Sequence, residues 1–292
     1  MTNAYFVGVT VLFLVLTGCG GGSTDNGTDI PEMEPVRLIS DIGYQTPTAY
    51  RGMTLVWADE FESNSLDLTS WSYDVGDGCP SLCGWGNNEL EYYTASSNNS
   101  YQTEGKLVIE AKPEVIASSH YTSAKLLTRG KQQFKYGRID IRAKLPEGQG
   151  IWPAVWMLPV DNVYGGWPSS GEIDIAELVG HEPAKIHGTI HFGPSLGYSQ
   201  SRSGYHTLTE GSFADEFHVF SIIWQEDEIQ WLVDDIEYHA ISRGDVGTNI
   251  YPFNQEFYLI MNSAVGGNWP GAPGDETVFP QSMMIDYVRV FQ

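Results

Sequence analysis

The sequence has little positive charge: 15 Lys and Arg stand against 37 Asp and Glu, a formal net charge of −22. Nucleic acids and anionic membrane surfaces are met by clustered cations, so this balance argues against both as partners. It disfavours a heavily sulfated or carboxylated substrate for the same reason, and a neutral polymer fits better. Cysteine is also scarce, with three in the chain. Two of them, Cys79 and Cys83, lie in "GCPSLCGWGNN". C-x3-C with no nearby His is a poor metal site. In an oxidising compartment the pair suits a disulfide that staples a loop, with a free pair as the alternative. Helical periodicity and internal repeats are missing, and no apolar run is long enough to cross a membrane comfortably.

What is present is short and strand-like. Runs of alternating, β-branched and aromatic residues recur between turn signals: "KLVIEAK", "GRIDIRAKL", "AVWMLP", "EIDIAEL", "IHGTIHF", "FHVFSIIW", "IQWLVDD", "EFYLIMNSAV" and "MMIDYVRVF". Many strands without helical spacers predict an all-β, two-sheet antiparallel sandwich. Hydrophobic residues at 41% supply its core. Aromatics at 13% either serve that core or offer flat faces on which sugar rings stack.

The N-terminus stands apart. Ala4 to Leu16 is almost wholly apolar and suits the core of a signal peptide. "LTGC" follows and resembles a bacterial lipobox, although "MTN" lacks the usual Lys or Arg. The resemblance implies cleavage after residue 18 and a lipid on Cys19. It also implies an exported cell-envelope protein on the bacterial outer membrane or cell surface, held to the membrane only through that lipid. Residues 19–45 then form the anchor and a flexible Gly/Ser/Asp-rich linker, and residues 46–292 one catalytic-size domain.

"GEIDIAELVG" places three carboxylates, Glu172, Asp174 and Glu177, in an apolar strand-like run. Side chains of a strand alternate faces, so Glu172 and Asp174 share one and Glu177 should take the other. A β-bulge near Ile175–Ala176 returns Glu177 to the face of its partners, and such bulges gather beside active sites. Three carboxylates so close cannot all ionise comfortably, so one holds a proton, as a general acid must. Two Glu can then act as nucleophile and acid/base in a retaining glycosidase. A calcium site and a solvated acidic edge are the other readings of this stretch.

The cluster and its context resemble glycoside hydrolase family 16, in particular its laminarinase-like β-1,3-glucanases. The matching pieces run from about residue 46 to the end: "WADEF", "GWGNNELEYYT", "FKYGRIDIRAKLPEGQGIWPAVWMLP", "GEIDIAE", "GTIHFG", "AVGGNWPG" and "IDYVRVF". The resemblance implies a β-jelly-roll with a long concave cleft and retaining endo-hydrolysis of β-1,3-glucan, extending to mixed-linkage β-1,3-1,4-glucan. By the motif E-x-D-x-x-E, Glu172 is the nucleophile, Glu177 the acid/base and Asp174 the residue that tunes the nucleophile. The five-residue separation places the chain in the bulged group of the family.

The resemblance also puts His191 near the acid/base, where it would hydrogen-bond Glu177. It gives Trp152, Trp156, Trp167 and Trp269 to sugar subsites, and Asn87 and Asn88 to a loop that supplies polar contacts. Catalysis needs no cofactor. A structural calcium on the convex side is implied, with Glu60 and Asp286 as its ligands. The expected partner is a neutral β-glucan and the expected state a monomer. Two departures bear on the cleft. Ala124-Lys125 replaces the Gly-Arg of many relatives, keeping the charge but losing the fork. "CPSLC" is inserted just before the substrate loop. The alternatives are an agarase- or carrageenase-type galactan hydrolase of the same group, and a non-catalytic β-glucan-binding protein. The latter loses the catalytic Glu pair, which this chain keeps.

Overall fold

The computed structural model describes residues 39–292. The signal peptide and the lipid anchor Cys19 fall outside the described residues. In chain order the strands are β1 (Leu55–Asp59), β2 (Ser72–Asp74), β3 (Glu91–Tyr93), β4 (Ser100–Thr103), β5 (Lys106–Ile116) and β6 (Ser119–Ser123). Then come β7 (Lys125–Leu127), β8 (Gly137–Lys144), β9 (Ile151–Pro159), β10 (Glu172–Glu177), β11 (Lys185–Phe192) and β12 (Gln200–Thr207). The last are β13 (His218–Trp224), β14 (Glu228–Val233), β15 (Ile236–Ser242), β16 (Phe257–Val265) and β17 (Gln281–Phe291). Between them, among the described residues, lie only short 3-10 turns.

Two sheets face each other. One runs β12-β11-β10-β9-β16-β7-β2 and the other β15-β14-β13-β8-β17-β5-β6-β3, with β1 on β17 and β4 on β5. Every pairing is antiparallel except β3 with β6, which is parallel. The sandwich arises because the apolar residues of the central strands meet in the middle. Ile173 and Ile175 of β10, Met157 of β9, and Ile141, Phe220 and Trp231 of the opposite sheet are all buried in one core cluster. Trp231 reaches across that core, donating from Nε1 to the Asp174 carbonyl at 2.8 Å.

The predicted bulge is present. Against β9, Asp174 pairs with Trp156 and Ala176 with Val155, leaving Ile175 as the extra residue. Ile175 and Ala176 are both buried, and Glu177 returns to the face of Glu172 and Asp174.

Three sequence expectations are revised. β12, "QSRSGYHT", was not among the predicted strands: it is a mostly exposed edge strand whose polar residues carry no alternation. The linker ends earlier than residue 45. The fully buried Arg142 donates to the carbonyls of Tyr44 and Asp41 and pairs with the Asp41 carboxylate at 2.7 Å. Gly43 bridges to Phe217 at φ +133, where an added Cβ would stand 1.9 Å from the Phe217 carbonyl oxygen, so no other residue fits. The carboxylates expected to hold calcium already face cations. Both oxygens of Glu60 accept from Arg289 at 2.7 Å. Asp286 pairs with Lys106 at 2.7 Å and Arg142 at 2.8 Å. These residues fit separate ion-pair sites and not an oxygen cage, which needs 6–8 oxygens free to converge on one ion.

Candidate active site

The seven-stranded sheet forms the floor of a cleft of about 1080 Å³. Its register arranges the outward side chains in rows across the strands. One row runs Tyr205–His187–Glu177–Ala154–Asn262–Lys125–Asp74, from β12 to β2. The next runs Ser203–Thr189–Asp174–Trp156–Ile260–Leu127, and a third joins Ser201, His191 and Glu172. Glu172, Asp174 and Glu177 thus occupy three adjoining rows at one strand. The even spacing of Trp152 and Trp156 sets both on this face, beside the acids.

Each acid has its own partners. Glu172 accepts a hydrogen bond from Trp167 Nε1 at 2.8 Å. Glu177 accepts one from Trp152 Nε1 at 3.3 Å. Asp174 is 2% exposed, with Oδ2 3.2 Å from His191 Nε2 and no aligned donor on that oxygen. His191 Nε2 also lies 4.0 Å from Glu172 Oε1. The imidazole expected against Glu177 therefore faces Asp174 and Glu172 instead. The cause is register: His191 pairs with Glu172 across the strands, and the bulge sends Glu177 one pair further, to His187.

The electrostatics follow from crowding and burial. Burial, then the Asp174 charge, push Glu172 up to about 8. Burial, then the charges of Asp174 and Glu172, raise Glu177 well above the ordinary carboxylate range. Burial alone would lower His191, but the Asp174 contact and the neighbouring carboxylates outweigh it and raise the imidazole to about 9. The raised His191 favours an imidazolium against Glu172 and Asp174, and the upward shift of Glu177 favours its protonated form. The trio titrates as a unit with macroscopic steps.

A pH dependence follows with a definite sign. An ionised nucleophile and a protonated acid coexist between the two steps, so kcat/KM is bell-shaped. Its acid limb should lie above pH 4.3, the ordinary Glu value, because burial and the Asp174 charge outweigh the lowering influences of His191 and Trp167 on Glu172. Asp174→Asn removes the charge that helps do so, and the acid limb should move down. A pH–rate series on both proteins checks this; an acid limb unmoved by the substitution would contradict the arrangement.

The remaining predicted residues divide. Trp269 lies at the rim, edge-on to Trp152 with centroids 5.6 Å apart and to His187 at 5.0 Å. Trp156 Nε1 donates to Asn262 Oδ1 at 2.7 Å. Of the asparagines, Asn87 lines the cleft, whereas Asn88 donates to Asn268 and braces the loop that carries Trp269. Cys79 and Cys83 are joined in a disulfide.

Thr189 and Asn262 on this face were missed, and of Lys125, which the sequence did flag at the cleft, the surroundings were missed. Thr189 lies two residues from each of His187 and His191 in "IHGTIHF", so strand alternation would have found it. Asn262 is a lone amide in an apolar run. Lys125 is 6% exposed, and its ammonium is enclosed by Trp85, Trp156 and Tyr93 at 4.2, 5.0 and 5.8 Å. No local pattern announces that cage, since its walls come from separate strands and loops.

Comparison with known proteins sets this geometry in context. The family model for glycosyl hydrolases family 16 matches residues 87–289. Glucan endo-1,3-beta-glucosidase A1 of Niallia circulans is 42% identical over 90% of the chain, which spans 41% of that relative's length. A beta-glucanase of Rhodothermus marinus is 40% identical, covering 96% of the chain and 93% of the relative. Among solved structures, the laminarinase catalytic domain from Thermotoga maritima MSB8 superposes with a TM-score of 0.77 and 45% identity, covering 82% of this chain and 98% of that one.

Proposed function

The chain belongs to glycosyl hydrolases family 16, and from that premise we propose that it is a retaining endo-β-1,3-glucanase acting on laminarin-type polymers. One observation carries the reading: Glu172, Asp174 and Glu177 share one face on the floor of an open, tryptophan-lined cleft. An open cleft admits the middle of a polymer, which suits endo cleavage. Indole faces suit neutral sugar rings, and the relatives named above act, by their names, on glucans.

In the first step Glu172 attacks the anomeric carbon from the face opposite the leaving oxygen. Glu177 gives its proton to that oxygen as the glycosidic bond breaks, and the reducing-end fragment leaves as an alcohol. A glycosyl ester on Glu172 remains. Glu177, now a carboxylate, takes a proton from water, whose oxygen displaces Glu172; Glu177 is again the acid and Glu172 again the carboxylate. The two inversions give net retention. Asp174 and the imidazolium of His191 keep the Glu172 side of the cluster oriented and partly neutralised. Trp167 holds the nucleophile by its second oxygen.

The same reading makes the protein a monomer, exported through its N-terminal segment and held to the envelope only by a lipid on Cys19. The lipobox-like "LTGC" supports the lipid anchor.

The deciding test compares products from laminarin, mixed-linkage glucan, agarose and carrageenan. Release of short β-1,3-linked oligosaccharides from laminarin, with mixed-linkage glucan cut more slowly or not at all, is the expected result. Cleavage of a galactan alone would transfer the protein to the galactanases of its family. Laminarin binding without any cleavage would make it a binding protein.

A further inference from the structure

The disulfide loop closes one end of the cleft. It follows β2, the edge strand of the cleft floor, and residues 77–86 rise beside the final row, where Asp74 pairs with Lys125. The loop is braced at several points. Cys79 is bonded to Cys83. Asp77 accepts from the Cys79 N–H through Oδ1 at 3.0 Å and from the Gly84 N–H through its carbonyl at 2.8 Å. Leu82 N–H donates to the Gly78 carbonyl at 2.7 Å. Trp85 is held in a left-handed conformation, φ 51, over the Lys125 ammonium.

This bracing leaves one large apolar side chain in the open. Leu82 is 54% exposed, yet it lines the cleft, lying over Gly86, where an added Cβ would meet its Cδ1 at 3.1 Å. An aliphatic group presented by a stapled loop into a polysaccharide cleft has no partner within the fold. The opposite end, at β12, is floored by the hydroxyls of Ser201 and Ser203 and carries an exposed aliphatic of its own, Leu196, on a loop with no disulfide to hold it. β2 lies four strands from β10, or roughly 19 Å at the usual spacing. That distance holds a short run of sugar rings and then stops.

We propose that the Cys79–Cys83 loop is a specificity device, with Leu82 packing against the last glucosyl ring that the β2 side of the cleft accommodates and so fixing the number of subsites there. The proposal rests on the glucanase reading above and deepens it. The disulfide takes no part in the chemistry; it holds Leu82 in place against the pull of an exposed loop.

The test is kcat/KM on laminarioligosaccharides of increasing length, for wild type, Leu82→Ala and Cys79→Ser/Cys83→Ser. In wild type kcat/KM should rise with chain length until the chain reaches the loop and then level off. In both variants the ratio of long-chain to short-chain kcat/KM should fall about fivefold, the size of a part-buried Leu contact. A variant that merely folds less well loses activity at every length alike and leaves the ratio unchanged, and an unchanged ratio in both variants overturns the proposal. Should wild type cleave no oligosaccharide of any length, the glucanase reading itself fails and takes the proposal with it.

Discussion

Replacement of Glu172 by Gly is expected to slow laminarin cleavage by a factor on the order of 10⁴ or more, without lowering the melting temperature. The rate falls because no glycosyl ester can form; the remaining groups can protonate the leaving oxygen but cannot hold the sugar between steps. Stability does not fall with it, since Glu172 adds to the crowding of Asp174 and Glu177 instead of relieving it. The truncated side chain leaves room for a small anion on the face from which Glu172 attacked. Azide, with an activated β-glucoside as donor, should therefore restore turnover and give the α-glucosyl azide, the product of a single inversion. Formation of the β-azide, or loss of less than about tenfold in rate, would assign the nucleophile to another residue.

Glu177→Ala should behave differently, and the difference separates the roles of two carboxylates that look alike in sequence. Loss of a general acid costs about 10²–10⁴ in rate when the leaving group is a sugar alkoxide. An aryl glucoside with an acidic phenol departs without a proton, so its first step should survive almost intact in the variant. The glycosyl ester then accumulates, because water is no longer activated. Added azide needs no base, and it should discharge the ester to the β-glucosyl azide by a second inversion. Burst kinetics with the aryl glucoside, followed by product analysis, reads both steps. Equal losses on laminarin and on the aryl glucoside would show that Glu177 is not the proton donor.

What could be read from the sequence was whatever lies within one strand. The faces of Glu172, Asp174 and Glu177, the bulge between them, and the pairing of Trp152 with Trp156 all follow from a period of two and one counted exception. What could not be read was the partner across a long loop. Glu60 and Asp286 were placed as oxygen ligands by the resemblance alone, and the sequence does not show that Glu60 faces Arg289, 229 residues away. His191 was set against the wrong acid because strand register is invisible until β10 and β11 are paired. The end of the linker was misplaced because Asp41 and Tyr44 gain their meaning only from a buried Arg142 about a hundred residues away.

The bulge in β10 has a consequence at the level of the gene. The acids of this strand are one codon from strict alternation. Excision of the Ile175 or the Ala176 codon leaves a strand in which the three acids stand at every second position, on one face still. Excision of Ile173 instead would put Glu172 on the face opposite Asp174 and turn one of them toward the core, because a shift of one residue inverts a strand. Of the single deletions within this strand, those of Ile175 and Ala176 alone therefore keep the three acids together.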